Sequence, residues 1–143
     1  MFSDSQNKSK MNACAAIQRQ NVEALKACEH EILENVNEMY DSGDIEYENY
    51  LPFWIASSPD HKIGCEMYEV FVNTCRTALT AEKCELVMKD FSVPTMIGAI
   101  CSENMDILEL IKDYVDRSDI WEAIQVTDSE VIRSWYDRSC NIK

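Results

Sequence analysis

The chain is poor in the residues that make tight turns, since only three glycines and three prolines occur among its 143 residues. A many-stranded sandwich or barrel needs a turn signal about every 8–12 residues, so this scarcity disfavours such folds and favours helices. The length suits a single domain with one core. We therefore predict an all-α protein, with a flexible polar tail at residues 1–10 and a single helical repeat domain over residues 11–143.

Basic residues are also scarce, because 13 Lys and Arg stand against 26 Asp and Glu and leave a net charge of −13. Binding to nucleic acid or to an anionic membrane requires clustered Lys and Arg. We therefore predict neither as a direct partner. The sequence lacks an apolar run of about 18 residues that could span a bilayer, and residues 1–10 lack the apolar region of a secretory signal.

The seven cysteines show no disulfide or metal pattern. Their number is odd, Cys-x-x-Cys does not occur, and neither His30 nor His61 completes a zinc motif. Free cysteines at apolar helix positions behave as small hydrophobic residues. We therefore expect reduced thiols, no cofactor, and an intracellular, cytoplasmic location in the protein's own cell or in a host cell.

Apolar residues recur at steps of three and four along much of the chain, which is the period of an amphipathic helix. The period fades over residues 35–49, where Gly43 and its polar neighbours predict a turn or loop. Residues 84–88 are compatible with either a short helix or an extended segment. The predicted helices cover residues 11–33 with a break near Gln20–Asn21, 66–79 and 104–115, and a last helix after a polar break at Thr127–Asp128 carries Val131, Ile132, Trp135 and Tyr136.

One register occurs three times, which is the sequence signature of stacked repeats. An Ala-Ile pair is followed after three residues by Asn or Asp, then by an acid and an aliphatic residue. The small alanine allows close packing, and the Asn or Asp side chain caps a second helix. Each copy thus predicts a helix–turn–helix unit that stacks on its neighbours. The pairs begin at Ala16, Ala99 and Ala123, and the predicted caps are Asn21, Asn104 and Asp128.

These segments resemble ankyrin repeats. Residues 51–56, Leu-Pro-Phe-Trp-Ile-Ala, are similar to the Thr-Pro-Leu-His-x-Ala opening, with Trp54 in place of the histidine, and residues 102–111 resemble the turn and second helix. The family's glycine before the cap is missing, and the repeat alanines, with Ala56, are spaced by 40, 43 and 24 residues instead of about 33. The resemblance implies a short ankyrin-like solenoid of about four irregular units, with insertions between the middle units. A plain helical bundle is the alternative.

The acids are concentrated between Ala27 and His61, where nine occur without a single Lys or Arg. Aromatic residues lie among them. In ankyrin proteins partners bind on the fingers and inner helices, and the insertion before Leu51 would lie on that side. Acids steer a basic partner and aromatics anchor it; the alternative is a solvated acidic loop. The predicted partner-binding residues are Asp41, Asp44, Glu46, Tyr47, Glu48, Tyr50 and Trp54.

The sequence therefore predicts a protein–protein interaction module, not an enzyme, that acts as an acidic inhibitor or adaptor. Its partner would be a protein with a basic surface, such as a localisation signal or a nucleic-acid-binding protein. In style the chain resembles small viral, phage or bacterial-effector products. Two alternatives stay open: a homo-oligomeric scaffold held by Trp121, Trp135 and Tyr136, and a small hydrolase with Cys65 as nucleophile and His61 as base.

Overall fold

A computed structural model of the chain describes residues 12–42 and 46–139, which form helices without a strand. The all-α prediction is confirmed, whereas the predicted tail at residues 1–10 lies outside the described residues. In the part described, no helix combines the length and the apolar character needed to cross a membrane. The helices are α1 (Ala13–Gln18), α2 (Val22–Lys26), α3 (Glu29–Ser42), a 3-10 helix (Tyr47–Asn49), α4 (Leu51–Ala56), α5 (His61–Ala78), α6 (Ala81–Asp90), α7 (Ser92–Ser102), α8 (Met105–Ile111), α9 (Arg117–Val126) and α10 (Glu130–Ser139).

The helix α3 corrects the prediction of a loop after residue 35. It continues to Ser42 because Ile32, Val36 and Met39 form an apolar stripe at steps of four and three. Ile32 and Val36 are buried, and Met39 packs against the same core. The stripe is narrow and most other positions of this helix are polar, which is why the period faded in the sequence. The ambiguous residues 84–88 lie within the helix α6.

The break predicted near Gln20–Asn21 is confirmed, and it is a hydrogen-bonded Schellman turn. Gln20 takes a left-handed backbone conformation with φ of 55°. The amide of Asn21 then donates to the carbonyl of Ala16 at 2.9 Å, which satisfies a carbonyl at the end of α1. The side chain of Asn21 accepts from the amide of Ala24 at 3.0 Å and thereby caps α2.

The turn between α7 and α8, 83 residues later in the chain, has the same geometry at the same position of the register. Glu103 has φ of 60°, and the amide of Asn104 donates to the carbonyl of Ala99 at 2.8 Å. Asn104 caps α8 through the amide of Ile107 at 3.2 Å. Glycine usually occupies the left-handed position, and in this chain Gln20 and Glu103 hold it instead.

The third copy of the register departs from the other two, and the predicted cap Asp128 was wrong. Thr127 is extended, with φ of −85° and ψ of 144°, so the chain does not reverse through a left-handed residue. Ser129 caps α10, because its Oγ accepts from the amide of Ile132 at 3.1 Å. The same hydroxyl donates a hydrogen bond to Oε2 of Glu103 at 2.5 Å. An ionised Asp at this cap could not do so, because its carboxylate has no proton to donate.

The helices pack in two rows. The first helices of the four pairs, α1, α4, α7 and α9, contact one another in series, and so do the second helices, α2, α5, α8 and α10. Each first helix also packs on its own second helix. The inserted helix α3 lies against α5, and the inserted helix α6 contacts α5 and α7. We refer to the pairs α1–α2, α4–α5, α7–α8 and α9–α10 as units 1 to 4.

Small residues let the first helices approach closely. Ala16, Ala56, Ala99 and Ala123 are all buried, as the register predicts. The helices α4 and α7 approach closely at Gly98, where an added Cβ would lie 2.3 Å from the carbonyl oxygen of Phe53. That contact is with backbone and cannot relax by a side-chain rotation, so only glycine fits this position of α7.

Hydrogen bonds join the turns of successive units. Between units 1 and 2, Oε1 of Gln20 accepts from Oγ of Ser58 at 2.9 Å and from the amide of Asp60 at 3.2 Å. Between units 3 and 4, Glu103 accepts from Ser129 as described above. Thus the side chain of each left-handed residue bridges to the turn of the next unit.

The junction between units 2 and 3 centres on Asn104, whose side chain is fully buried. Its Nδ2 donates to the carbonyl of His61 at 3.2 Å, while its Oδ1 holds the α8 cap. Nε2 of His61 in turn donates to the carbonyl of Ser102 at 2.6 Å, and Oγ of Ser102 donates to the carbonyl of Ala56 at 2.6 Å. One amide side chain therefore both starts a helix and fixes its unit against the preceding one.

We predict that Asn104→Ala destabilises the protein more than the equivalent cap change Asn21→Ala. Loss of a helix cap costs about 1 kcal/mol. At Asn104 the hydrogen bond to the carbonyl of His61 is lost as well, which adds about 0.5–1.5 kcal/mol. Urea unfolding followed by circular dichroism measures both variants. Equal losses of unfolding free energy would show that Asn104 acts only as a local cap.

Candidate functional site

The structure places part of the predicted partner-binding segment. Asp41 lies in the last turn of α3 and Tyr47 in the 3-10 helix, but their side chains lie outside what the structure describes. Asp44 falls wholly outside the described residues. Glu46 and Glu48 are exposed at the 3-10 helix that precedes α4.

Hydrogen bonds hold the described part of this acidic segment in place. Nδ2 of Asn35 in α3 donates to the carbonyl of Asn49 at 3.0 Å, and Oδ1 of Asn35 accepts from the amide of Leu51 at 3.2 Å. From the other side, Nε1 of Trp54 donates to the carbonyl of Glu48 at 2.7 Å. The exposed carboxylates are thus carried on a backbone that is tied to both α3 and α4.

The two predicted aromatic anchors occupy different environments. Trp54 is 43% exposed, and its ring meets that of Phe53 edge-on with centroids 5.1 Å apart. Tyr50 is half-buried and lies edge-on against Phe91 at 5.0 Å, in contact with the core. Trp54 therefore offers the larger apolar surface to a partner.

Some acids between Ala27 and His61 contact other residues of the protein. Oε1 of Glu31 accepts from the amide of Ala13 at 2.5 Å, so this residue helps to cap α1. Glu34 lies 3.4 Å from Nε2 of His30 on the same helix. The bond from Ala13 gives Glu31 a local structural role, whereas the pair of Glu34 and His30 is exposed to solvent.

The sequence interpretation missed a groove between the first helices of units 3 and 4. It has a volume of about 630 Å³ and lies at the turn ends of α7 and α9. The apolar part of its lining comes chiefly from Ile97, Ile100, Cys101 and Val126. The available signal was the absence of any charged residue in α7, in a chain where 27% of residues are charged.

The contacts of Cys65 and His61 do not favour a nucleophile and its base. Sγ of Cys65 lies 3.8 Å from Oδ1 of Asn104, while Nε2 of His61 is hydrogen-bonded to Ser102. Burial, followed by the charge of Asp106, raises the pKa of the Cys65 thiol, whereas a nucleophilic cysteine needs a lowered one. Among residues 12–42 and 46–139, no cluster of His, Cys, Asp or Glu could hold a metal ion.

The scaffold alternative relies on aromatic residues near the C-terminus, and the two tryptophans among them lie in different environments. Trp121 on α9 is 53% exposed, but Trp135 on α10 is buried, so it is not available as that alternative requires. Nε1 of Trp135 donates to Oε2 of Glu109 at 2.8 Å. A hydrogen bond from Lys112 lowers the pKa of Glu109 and keeps this carboxylate ionised as the acceptor.

These features define an all-α protein built from consecutive helix pairs with an exposed acidic and aromatic segment. Residues 12–137 match the model of a family described as a family of unknown function (DUF5903), and the chain belongs to that family. The matched range begins at the cap of α1 and ends within α10, so it includes all four units. Comparison with curated proteins and with solved structures gave no match.

We predict that iodoacetamide alkylates Cys14 and Cys101, which are exposed, well before Cys65 and Cys75. Burial raises the pKa of Cys75 to about 12 and also raises that of Cys65, so few thiolates form there at neutral pH. Mass spectrometry of peptides over time measures each rate, with the unfolded protein as control. Alkylation of Cys65 as fast as that of Cys101 would contradict this and restore the hydrolase alternative.

Proposed function

We propose that this chain is an ankyrin-type protein-interaction module that acts as an acidic inhibitor or adaptor by binding a basic protein surface. The observation that carries the proposal is the acidic segment before α4, where exposed Glu46 and Glu48 lie beside the half-exposed Trp54. Acids around an apolar anchor are the arrangement that suits a cationic partner.

The packing supports the ankyrin-type part of the proposal. In stacked repeats each unit contacts only its neighbours, and the first and second helices of this chain each contact one another in series. The paired Schellman turns at Gln20 and Glu103 fall at the same register position of their units. Ankyrin repeats usually have glycine at these two positions. Its absence is compatible with the proposal, because the side chains of Gln20 and Glu103 each form a hydrogen bond to the turn of the next unit.

Electrostatics and preorganisation would act together at the acidic segment. The net charge of −13 attracts a basic protein over a distance and raises the rate of encounter. The segment is tied down by Asn35 and by Trp54, so little conformational entropy is lost on binding. A partner could supply a basic localisation signal or the basic face of a nucleic-acid-binding protein, which the chain would then block.

We predict that replacing Glu46, Tyr47 and Glu48 by Ala weakens capture of the partner in a pull-down from native cell lysate. The change removes two exposed charges, and the bond from Trp54 survives because it uses the backbone carbonyl of Glu48. Binding should also weaken as salt is raised, since exposed charges are screened beyond about 8 Å at physiological ionic strength.

A matched control removes the same amount of charge from another surface. Glu82 and Glu85 are both exposed on α6, so their double replacement by Ala changes the net charge equally. We expect this control to retain capture. If the triple variant retains it as well at low salt, the acidic segment is not the binding surface.

The exposure of Trp121 and Val131 in unit 4 favours a second candidate, a scaffold that associates with copies of itself. Stacked-repeat proteins normally end in a polar cap. Here Trp121 on α9 and Val131 on α10 are both exposed in the last described unit. Association through them would cover apolar surface that water otherwise contacts.

The two candidates predict different masses in solution. As an interaction module the chain should have the mass of a monomer in light scattering over a wide concentration series. As a scaffold it should gain mass with concentration, and Trp121→Ser should abolish that gain because it removes the exposed indole. A constant monomer mass at high concentration would eliminate the scaffold.

A further inference from the structure

The groove between α7 and α9 lies away from the acidic segment. The acidic segment precedes the N-terminus of α4, whereas the groove lies beside the C-terminal ends of α7 and α9. A partner that fills both would therefore contact two separate surfaces of the row of first helices.

The floor of the groove is apolar and open to solvent. Ile97 and Ile100 are half-exposed, Cys101 is exposed, and Val126 is 82% exposed. The helices α4 and α7, which stand next to each other in the row, contain no charged residue at all. A concave apolar floor with a few polar groups at its border is suited to receive an apolar group of a ligand.

Acidic side chains border the same groove. Glu103 and Asp128 are both exposed and both line it, and its lining includes neither Lys nor Arg. The nearby Arg133 directs Nε and Nη2 to the carbonyl of Thr127, at 3.1 and 2.7 Å. The border therefore complements a cation, while the floor complements an apolar side chain.

We propose that this groove is a docking site for a segment of a partner protein that carries a bulky apolar side chain next to Lys or Arg. The apolar side chain fills the space over Ile97 and Val126, and the basic residue reaches Glu103 and Asp128. A volume of about 630 Å³ accommodates one or two large side chains of a partner. The inference rests on the proposed function, because it assigns a second contact to the same basic partner.

The test uses the full chain and a random peptide library displayed on phage, with selected peptides then measured by fluorescence anisotropy. Enriched peptides should combine a bulky apolar residue with Lys or Arg. Val126→Arg should weaken their binding at least about tenfold, because it places a cation on the apolar floor. Arginine suits the last turn of α9 and the site is highly exposed, so the fold is preserved.

A matched control places the same charge on the other row of helices. Leu110 on α8 is 55% exposed and lies outside the groove, so Leu110→Arg should leave peptide affinity unchanged. Glu103→Gln with Asp128→Asn should lower the affinity and flatten its salt dependence. A bound peptide should also slow alkylation of Cys101, which lines the groove, but not of Cys14 on α1.

The outcomes separate this inference from the proposed function. Peptides that bind equally to the Val126→Arg protein overturn the docking site, as does a library without enrichment. Self-association that Val126→Arg removes would make a second copy of the chain the occupant and would also overturn it. If Glu46 and Glu48 control lysate capture while Val126 does not, the proposed function stands alone. If peptides need Val126 but show no basic preference, the role of the acidic border is wrong and the docking site is overturned, while the proposed function is still decided by the Glu46, Tyr47 and Glu48 variant.

Discussion

The arrangement of this protein depends on the hydrogen bonds between the turns of neighbouring units, above all those of Asn104. Burying an amide is costly unless its donor and acceptor groups are satisfied. Asn104 meets that condition by bonding to its own helix and to the first turn of α5 at once. The same bonds orient unit 3 on unit 2. They therefore also fix the position of the apolar helix α7 between α4 and α9.

The replacement of glycine at the two left-handed positions has a structural reason. A non-glycine residue in that conformation costs of order 1–3 kcal/mol. Glycine would avoid this cost but would lose the side chain that accepts from Ser58 in one turn and from Ser129 in the other. The local strain is thus offset by contacts between units, which explains how the chain keeps both turns without glycine.

The sequence was sufficient where the determinants are local. Asn21 and Asn104 could be assigned as caps because a cap depends on residues within one turn. The cap at Ser129 is just as local, since it uses the amide of Ile132, but the repeated register placed the cap one position earlier, at Asp128. The bond from Ser129 to Glu103, 26 residues earlier, requires the fold. The groove was also out of reach, because the exposure of Val126 follows from how α9 packs on α7. Among the predicted binding residues, Trp54 was chosen because it is aromatic. Its hydrogen bond to the carbonyl of Glu48 could not be predicted, because it depends on how the chain folds.

The contact between Gly98 and Phe53 has a mechanical consequence. Where two backbones lie this close without an intervening side chain, neither helix can move toward the other without a clash. A larger residue at position 98 would therefore push α7 away from α4 and disturb the joint between units 2 and 3.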